Sequence, residues 1–166
     1  RDARVLADGT VRAAVARGRL LPIYILDDEN AGEWAMGAAS RAWLHRSLAA
    51  LDNALGGGLR LFRGEAAGII DKLVEALPIE AVYWNRCYEP WRIERDTRIK
   101  TRLDARGIDV ESFNGSLLWE PWEITKGDGN PYRVFTPYYQ KGCLGAPPPR
   151  QPQPAPAAKV NSVPAG

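Results

Sequence analysis

The chain has 166 residues, a formal net charge of +2, 45% hydrophobic residues and 25% charged residues. These values are typical of a soluble globular protein that can bury its own core, and the small net charge predicts no general basic surface for nucleic acid. Two cysteines and one histidine are too few for a disulfide scaffold or a predicted metal site, and the sequence contains no apolar run long enough for a transmembrane helix. We therefore expect a cytoplasmic protein.

Apolar runs alternate with amphipathic segments in the first part of the chain. Residues 20–28 form a continuous apolar run that ends in two acids, which predicts a strand buried on both faces. Leucines then recur at helical spacing from Leu44 to Leu55, and three glycines end the pattern, which predicts an amphipathic helix. Residues 59–64 predict the next strand.

The alternation continues to residue 115. The sequence predicts a helix over residues 69–77, a strand over 80–86, a charged helix over 91–106 and another strand over 108–115. Strands that alternate with helices form a parallel sheet whose helices cover both faces. The predicted fold class is therefore α/β, a doubly wound, Rossmann-like sheet.

The composition changes after this alternating region. The segment that follows residue 115 is aromatic and irregular, and residues 147–166 are rich in proline with few large apolar side chains. Such a composition is typical of a linker or a disordered tail. We expect one α/β domain over residues 1–146 and a proline-rich linker or tail over residues 147–166.

Ligands of doubly wound sheets bind beyond the carboxyl ends of the strands. The acids after the first predicted strand and the segment "WNRCYEPW" after the third lie there. Trp91, which follows Pro90 at the start of the charged helix, can stack on a planar ligand or simply pack in the core. Cys87 has no neighbouring histidine or thiol to activate it, so we expect a passive thiol.

The charged helix carries a row of arginines at spacings of three and four. This pattern is typical of a solvated helix face, and a phosphate-facing patch is the alternative. The row consists of Arg92, Arg95, Arg98, Arg102 and Arg106.

Several segments together resemble the N-terminal domain of the DNA photolyase and cryptochrome family. They are "RDAR" with the alanine-rich helix after it, "LLPIYILD", "ASRAWLHRSLAALDNAL", "WNRCYEPWRIERD", "FNGSLLWEPWEI" and "GNPYRVFTPYYQKGCL". Their occurrence in this order makes the resemblance specific.

The resemblance implies the antenna domain of a light-dependent DNA-repair enzyme, a cyclobutane pyrimidine dimer lyase. The family's C-terminal helical domain binds FAD and receives the dimer from damaged DNA, and the resemblance places both functions outside this chain. No residue here is expected to be catalytic, and the fragment alone is expected to be inactive. The alternatives are a cryptochrome-type blue-light photoreceptor and a stand-alone flavin- or nucleotide-binding domain.

The family's N-terminal domain holds an antenna chromophore, which is an 8-hydroxy-5-deazaflavin, a flavin or a methenyltetrahydrofolate. The family's pocket uses the loops after its first, second and fourth strands. Carried over to this sequence, the expected binding residues are Arg4, Asp27, Asp28, Trp34, Asn85, Cys87, Tyr88, Glu89 and Trp91, with Arg1 beside them.

Two departures from the family pattern affect these expectations. Where the best-known folate-binding bacterial members have Asn-Glu, this chain has Trp91-Arg92, so the type of chromophore stays open. The family's apolar first strand, at the centre of its sheet, has no counterpart before Arg1, and we expect the sheet to lack a central strand.

Overall fold

The structure is a computed structural model that describes residues 9–151. Strands and helices alternate along residues 9–113, and each strand and helix predicted there is present. A single 3-10 turn, Gly32–Trp34, lies between the first strand and the second helix. In chain order the elements are α1 Gly9–Arg17, β1 Ile23–Leu26, α2 Ala38–Ala54, β2 Arg60–Arg63, α3 Ala66–Ala76, β3 Ala81–Asn85, α4 Pro90–Asp104 and β4 Asp109–Phe113.

The strands pair in two parallel ladders. Strand β1 pairs with β2, with Ile23 opposite Arg60, and β3 pairs with β4, with Ala81 opposite Asp109. Within residues 9–151 the ladders form two separate two-stranded sheets, and no ladder joins β1 to β3.

Helices cover both faces of these strands. Ile25 and Val82 pack with α3 and α4, whereas the neighbouring Tyr24 packs with leucines of α2. Successive side chains of a strand point to opposite faces, so α2 lies on the face opposite to α3 and α4. Arg17 of α1 interacts with Tyr83, which points away from Val82, and this places α1 on the α2 face. The predicted doubly wound α/β fold class is confirmed.

The main core lies between α3, α4 and the strands. Leu103 of α4 is fully buried, and it packs with Ile70 of α3, with Ile99 and with Ile108. At the rim of this core, Asp71 of α3 forms ion pairs with two arginines of α4, Arg102 and Arg106. Burial of apolar side chains therefore holds α3 and α4 against each other, and the ion pairs join the two helices at the solvent-exposed rim.

The prediction that the first strand is buried on both faces is wrong. All four residues of β1 and all five of β3 are only half-buried, although their sequences are strongly apolar. The reason is a cavity of about 700 Å³ whose lining includes both strands together with residues of α1, α3 and α4. Side chains that would otherwise pack on a neighbour face this cavity.

Residues 9–115 form one compact unit, and residues 116–151 form a second, irregular unit. In the second unit the Trp119 indole donates a hydrogen bond to the Pro147 carbonyl at 3.0 Å. A short helical turn, Phe135–Pro137, continues into a π-helical turn, Tyr138–Cys143. The helices within residues 9–151 are too short or too polar to cross a membrane.

Candidate functional site

The carboxyl ends of β1 and β3 carry most of the predicted ligand-binding residues. Asp27 and Asp28 follow β1 directly, and β3 ends at Asn85. The loop after Asn85 leads into α4, which begins at Pro90. Because parallel strands end at the same edge, the sequence brings these side chains to one side of the first unit.

The Asp27 carboxylate is nearly inaccessible, with 2% of its side chain exposed. One oxygen accepts hydrogen bonds from the backbone and side-chain nitrogens of Asn30, at 3.2 and 3.0 Å. The other accepts the backbone N–H of Ala66 at 3.3 Å, in the first turn of α3. Arg95 of α4 lies 3.9 Å from the same oxygen. Asp27 therefore joins β1 to α3 and α4, and its oxygens are engaged within the protein.

The Asp28 and Trp34 side chains have different surroundings from Asp27. The Asp28 carboxylate forms ion pairs with Arg41 of α2 at 3.0 Å and with Arg63 of β2 at 3.8 Å. Trp34 is 75% exposed at the end of the 3-10 turn. The Trp34 ring is therefore largely open to solvent.

Asn85 is packed tightly at the end of β3. Its side-chain oxygen accepts a hydrogen bond from the Thr10 hydroxyl at 2.6 Å, at the start of α1. A Cβ atom placed on Gly115 would lie 2.4 to 2.8 Å from the Asn85 side chain, so only glycine fits there. Asn85 thus ties three segments together at the carboxyl edge.

Cys87 is a half-buried thiol in the loop before α4. Burial raises its pKa above the ordinary value, and the Arg92 guanidinium, whose Nη1 lies 3.2 Å from the sulfur, opposes this effect. A neutral thiol is a poor nucleophile. The raised pKa favours the neutral thiol, and the passive role of Cys87 stays a prediction.

Trp91 lies in the first turn of α4 and carries two cationic neighbours. The Arg92 and Arg95 guanidinium carbons lie 5.0 and 5.3 Å from the centre of its ring. These are cation–π distances, which hold a ring in place. Glu89, the N-cap residue of α4, has 53% of its side chain exposed and lies 3.8 Å from the Arg92 Nε atom. Tyr88 is half-buried beside it.

The arginine row does not form one solvated face. Only 17% of the Arg95 side chain is exposed, and its guanidinium binds Asp96 at 2.8 Å while facing Asp27. Arg92 turns toward Cys87 and Trp91. Sequence reasoning missed both as site residues, because a row at helical spacing looks the same whether it faces water or the strand ends. The acidic residue that follows β1, Asp27, was the feature of the sequence that could have indicated an arginine directed toward the strand ends.

We name the connected set the edge cluster: it contains Asp27, Cys87, Glu89, Trp91, Arg92 and Arg95. Of the predicted site residues, Asn85 lies at the end of β3, Tyr88 lies between β3 and α4, Asp28 pairs with Arg41 and Arg63, and Trp34 ends the 3-10 turn. Arg1 and Arg4 fall outside the described residues. Residues 9–151 contain no group of three or more histidine, cysteine or acidic side chains placed to hold a metal ion. The edge cluster offers an aromatic ring, two cations and a carboxylate, which suit a polar, planar ligand.

Comparisons with known proteins agree with this architecture. The family model for DNA photolyase matches residues 1–157. A deoxyribodipyrimidine photo-lyase from Agrobacterium fabrum is 38% identical, over 84% of this chain and 29% of its own length. Cryptochrome-2 from Arabidopsis thaliana is 37% identical, over 87% of this chain and 24% of its own length. The chain therefore spans less than a third of these relatives.

Two solved structures share the fold. A bacterial class III photolyase from Agrobacterium tumefaciens has a TM-score of 0.81 and 34% identity, covering 98% of this chain and 33% of its own. An archaeal photolyase from Sulfolobus tokodaii, solved with two FAD molecules, has a TM-score of 0.74 and 23% identity, covering 92% of this chain and 35% of its own. Together with the sequence match over residues 1–157, these similarities show that the chain belongs to the DNA photolyase family.

Proposed function

We propose that this chain is the antenna-chromophore domain of a light-dependent DNA-repair photolyase that acts on cyclobutane pyrimidine dimers. The observation that carries this proposal is the edge cluster, which sets the Trp91 ring against two guanidinium groups at the carboxyl ends of the strands. The bound chromophore would absorb light and pass the excitation on. The protein's part is to hold the chromophore at a fixed place.

The edge residues divide into two roles in this proposal. Asp27 and Asn85, whose side chains are engaged in the protein, position the surrounding segments. Tyr88, Glu89 and Trp91 form the accessible lip and would contact the chromophore, with Trp91 packing on its ring system and Glu89 accepting a hydrogen bond from its polar edge. Asp28 and Trp34 would bind only a chromophore that extends toward α2. Arg4 remains a proposed binding residue outside the described part of the chain.

The chromophore in this proposal is a deazaflavin, a flavin or a folate. The Sulfolobus protein, solved with two FAD molecules and with the implication of a novel light-harvesting cofactor, makes a flavin a reasonable first choice for testing. The Trp91-Arg92 pair favours a ligand that presents a planar ring and an anionic group, since a ring and a guanidinium lie side by side.

The rest of the proposed parent lies beyond this chain. A helical domain would bind FAD and damaged DNA and would pack against this domain. We propose the cytoplasm as the compartment, because Cys87 and Cys143 are both free thiols.

A cryptochrome-type photoreceptor is the second candidate function. It is favoured by the similarity to the Arabidopsis cryptochrome, which at 37% identity nearly equals the 38% found for the Agrobacterium photolyase. Light-dependent repair of dimer-containing DNA by the full-length parent separates the two functions, since a photoreceptor would bind FAD and leave the dimers intact.

The decisive experiment for the antenna is an absorption spectrum of the full-length parent purified from its native host. We expect a near-ultraviolet or visible band in addition to FAD. Trp91→Ala should lower the chromophore content several-fold, while Trp43→Ala, at an exposed position on α2, should leave it unchanged.

A spectrum of FAD alone would contradict the proposed antenna function. If a second chromophore is present but Trp91→Ala retains it in full, the antenna function stands and the ring of Trp91 is part of the packing only. Circular dichroism of both variants confirms that the fold is intact before the chromophore is counted.

A further inference from the structure

A cluster of hydrogen-bond donors lies where α4 packs on the β3–β4 ladder. Ser112 of β4 lies opposite Trp84 of β3. Arg86 follows the end of β3, and Lys100 belongs to α4. We propose that Arg86, Lys100 and Ser112 form an anion site, which binds a phosphate group beside β4. None of the three belongs to the edge cluster, so this inference is independent of the proposed chromophore.

The Ser112 hydroxyl oxygen is surrounded by donors. The Lys100 ammonium donates a hydrogen bond to it at 3.1 Å, and Arg86 Nη1 donates to it at 3.4 Å. The same Arg86 nitrogen also donates to the Ser112 backbone carbonyl at 2.8 Å. A serine hydroxyl has two lone pairs and one proton. The two cations use the lone pairs, and the proton still needs an acceptor.

The structure provides no acceptor for this proton among residues 9–151. Ser112 is buried, with 9% of its surface exposed, so bulk water reaches the hydroxyl poorly. Buried polar groups in folded proteins almost always have hydrogen-bond partners. An acceptor that comes from outside the chain would therefore complete the hydrogen bonds of Ser112.

The charge of the cluster favours an anion over a water molecule as this acceptor. Lys100 is half-buried and forms no ion pair within the described part of the chain. Its contacts are the Ser112 hydroxyl and the face of the Trp84 ring, whose centre lies 5.9 Å from Nζ. The Arg86 guanidinium lies beside the same oxygen, and partly buried like charges repel each other with little screening. A bound anion would offset this repulsion.

The number of donors favours a tetrahedral oxyanion. One phosphate oxygen can accept from the Lys100 ammonium, a second from the Arg86 guanidinium and a third from the Ser112 hydroxyl. Hydrogen bonds between cationic donors and phosphate are among the strong ones in proteins. A carboxylate has two oxygens, so one of the three donors would lack an acceptor of its own. The ligand is therefore inorganic phosphate or the phosphate of a phosphomonoester.

The first test measures lysine acetylation in the full-length parent, purified without phosphate. Peptide mass spectrometry gives the rate at each lysine. Saturating phosphate should slow the acetylation of Lys100 about 10-fold or more, relative to chloride at the same ionic strength, because only the free site reacts. Lys72, exposed on α3, is the control and should react equally in both salts. Ser112→Ala and Arg86→Gln should each remove most of the protection, with circular dichroism as the check of folding.

Ribose 5-phosphate distinguishes the two sources of the phosphate group, and ribose is its control. Protection of Lys100 at a lower concentration of the ester than of inorganic phosphate would identify a phosphomonoester as the ligand. Equal protection by both would identify free phosphate, and either result supports the site. Protection by ribose would overturn the proposal, because the donors would then bind hydroxyl groups without a charge.

Crystals of the parent soaked in selenate locate the anion, since selenium scatters anomalously. We expect a peak within hydrogen-bond distance of Lys100 Nζ and Ser112 Oγ. A peak at this position without protection in solution would indicate an adventitious ion only and would overturn the proposal. Equal acetylation of Lys100 in phosphate and chloride, or a map without a peak at this position, would also overturn it. The three side chains would then only join α4 to β4.

Discussion

Two adjacent carboxylates at the end of β1 have different surroundings. Asp27 is buried and accepts hydrogen bonds from Asn30 and from the first turn of α3, whereas Asp28 pairs with arginines nearer to the surface. A carboxylate at a helix N-terminus is stabilised by unpaired backbone N–H groups and by the helix dipole. Asp27 therefore belongs to the framework that places the edge cluster.

Asp27→Asn should destabilise the fold by about 1 to 3 kcal/mol, because the amide turns an N–H₂ group toward donors and removes the charge that faces Arg95. The free energy of unfolding in urea measures this change. Glu111→Gln, on an exposed position of β4, is the matched control and should change it by less than about 0.5 kcal/mol. Equal stability of the two variants would show that Asp27 does not hold these segments together.

Cys87 should make stability fall at alkaline pH. Burial raises the pKa of its thiol above the ordinary value of 9.0, so the unfolded chain loses this proton before the folded chain does. The unfolded state then binds fewer protons, and the free energy of unfolding decreases as the pH rises through about 9 and beyond. Urea titrations across this pH range should show the decrease in the free energy of unfolding. Cys87→Ala should remove the part of the decrease that the thiol causes. An identical pH profile for the two proteins would contradict the raised pKa.

At the scale of elements, the two helices that begin at the strand ends have different caps. Both have glutamate at the N-cap. The Glu65 side chain accepts the backbone N–H groups of Ala67 and Gly68 at 3.1 and 2.5 Å, whereas Glu89 makes no side-chain hydrogen bond to its helix. The Glu65 cap therefore stabilises α3, whereas the Glu89 carboxylate at the start of α4 stays accessible to a ligand.

Glu65→Ala should therefore lower the free energy of unfolding by about 1 kcal/mol. Glu89→Ala removes the same group from the same type of position and should lower it by less than about 0.5 kcal/mol. Chemical denaturation of the two variants in parallel provides the comparison. A larger loss in Glu89→Ala would mean that its carboxylate supports α4 and is not available to a ligand.

Most elements of residues 9–113 could be predicted from sequence, because they depend on local patterns. Leucines at helical spacing predicted α2, and the apolar runs beside charged residues predicted the strands. The pattern could not predict that β1 is only half-buried, since burial depends on which strands lie beside it. The bounds of β1 are also narrower than the apolar run, because Leu20 to Pro22 precede the paired residues.

The candidate site was less predictable than the fold. The resemblance grouped Asn85, Glu89 and Trp91 as binding residues after one strand, and in the structure they are the last residue of β3, the N-cap of α4 and a residue of the first turn of α4. Their binding role stays a prediction. Arg95 reaches Asp27 from a position 68 residues further along the chain, and only the packing of α4 against the end of β1 brings them together. The spacing of residues along α4 therefore could not predict that these arginines point toward the strand ends.

At the scale of the whole molecule, the chain spans about a third of a photolyase chain. We expect the isolated 166 residues to show no light-dependent repair of dimer-containing DNA, while the full-length parent repairs it. The measurement is loss of dimers under near-ultraviolet and blue light, with a dark sample as the control. Repair by the fragment would contradict the assignment of catalysis to the region outside this chain.

The cavity between β1 and β3 should also make the fold sensitive to hydrostatic pressure. Hydrostatic pressure favours the state of smaller volume, and the volume lost on unfolding scales with the internal void. The chain should therefore unfold at lower pressure than its Ala14→Phe variant, in which the added ring would fill part of the cavity that Ala14 lines. High-pressure fluorescence of Trp84, which lines the cavity, would follow that transition directly.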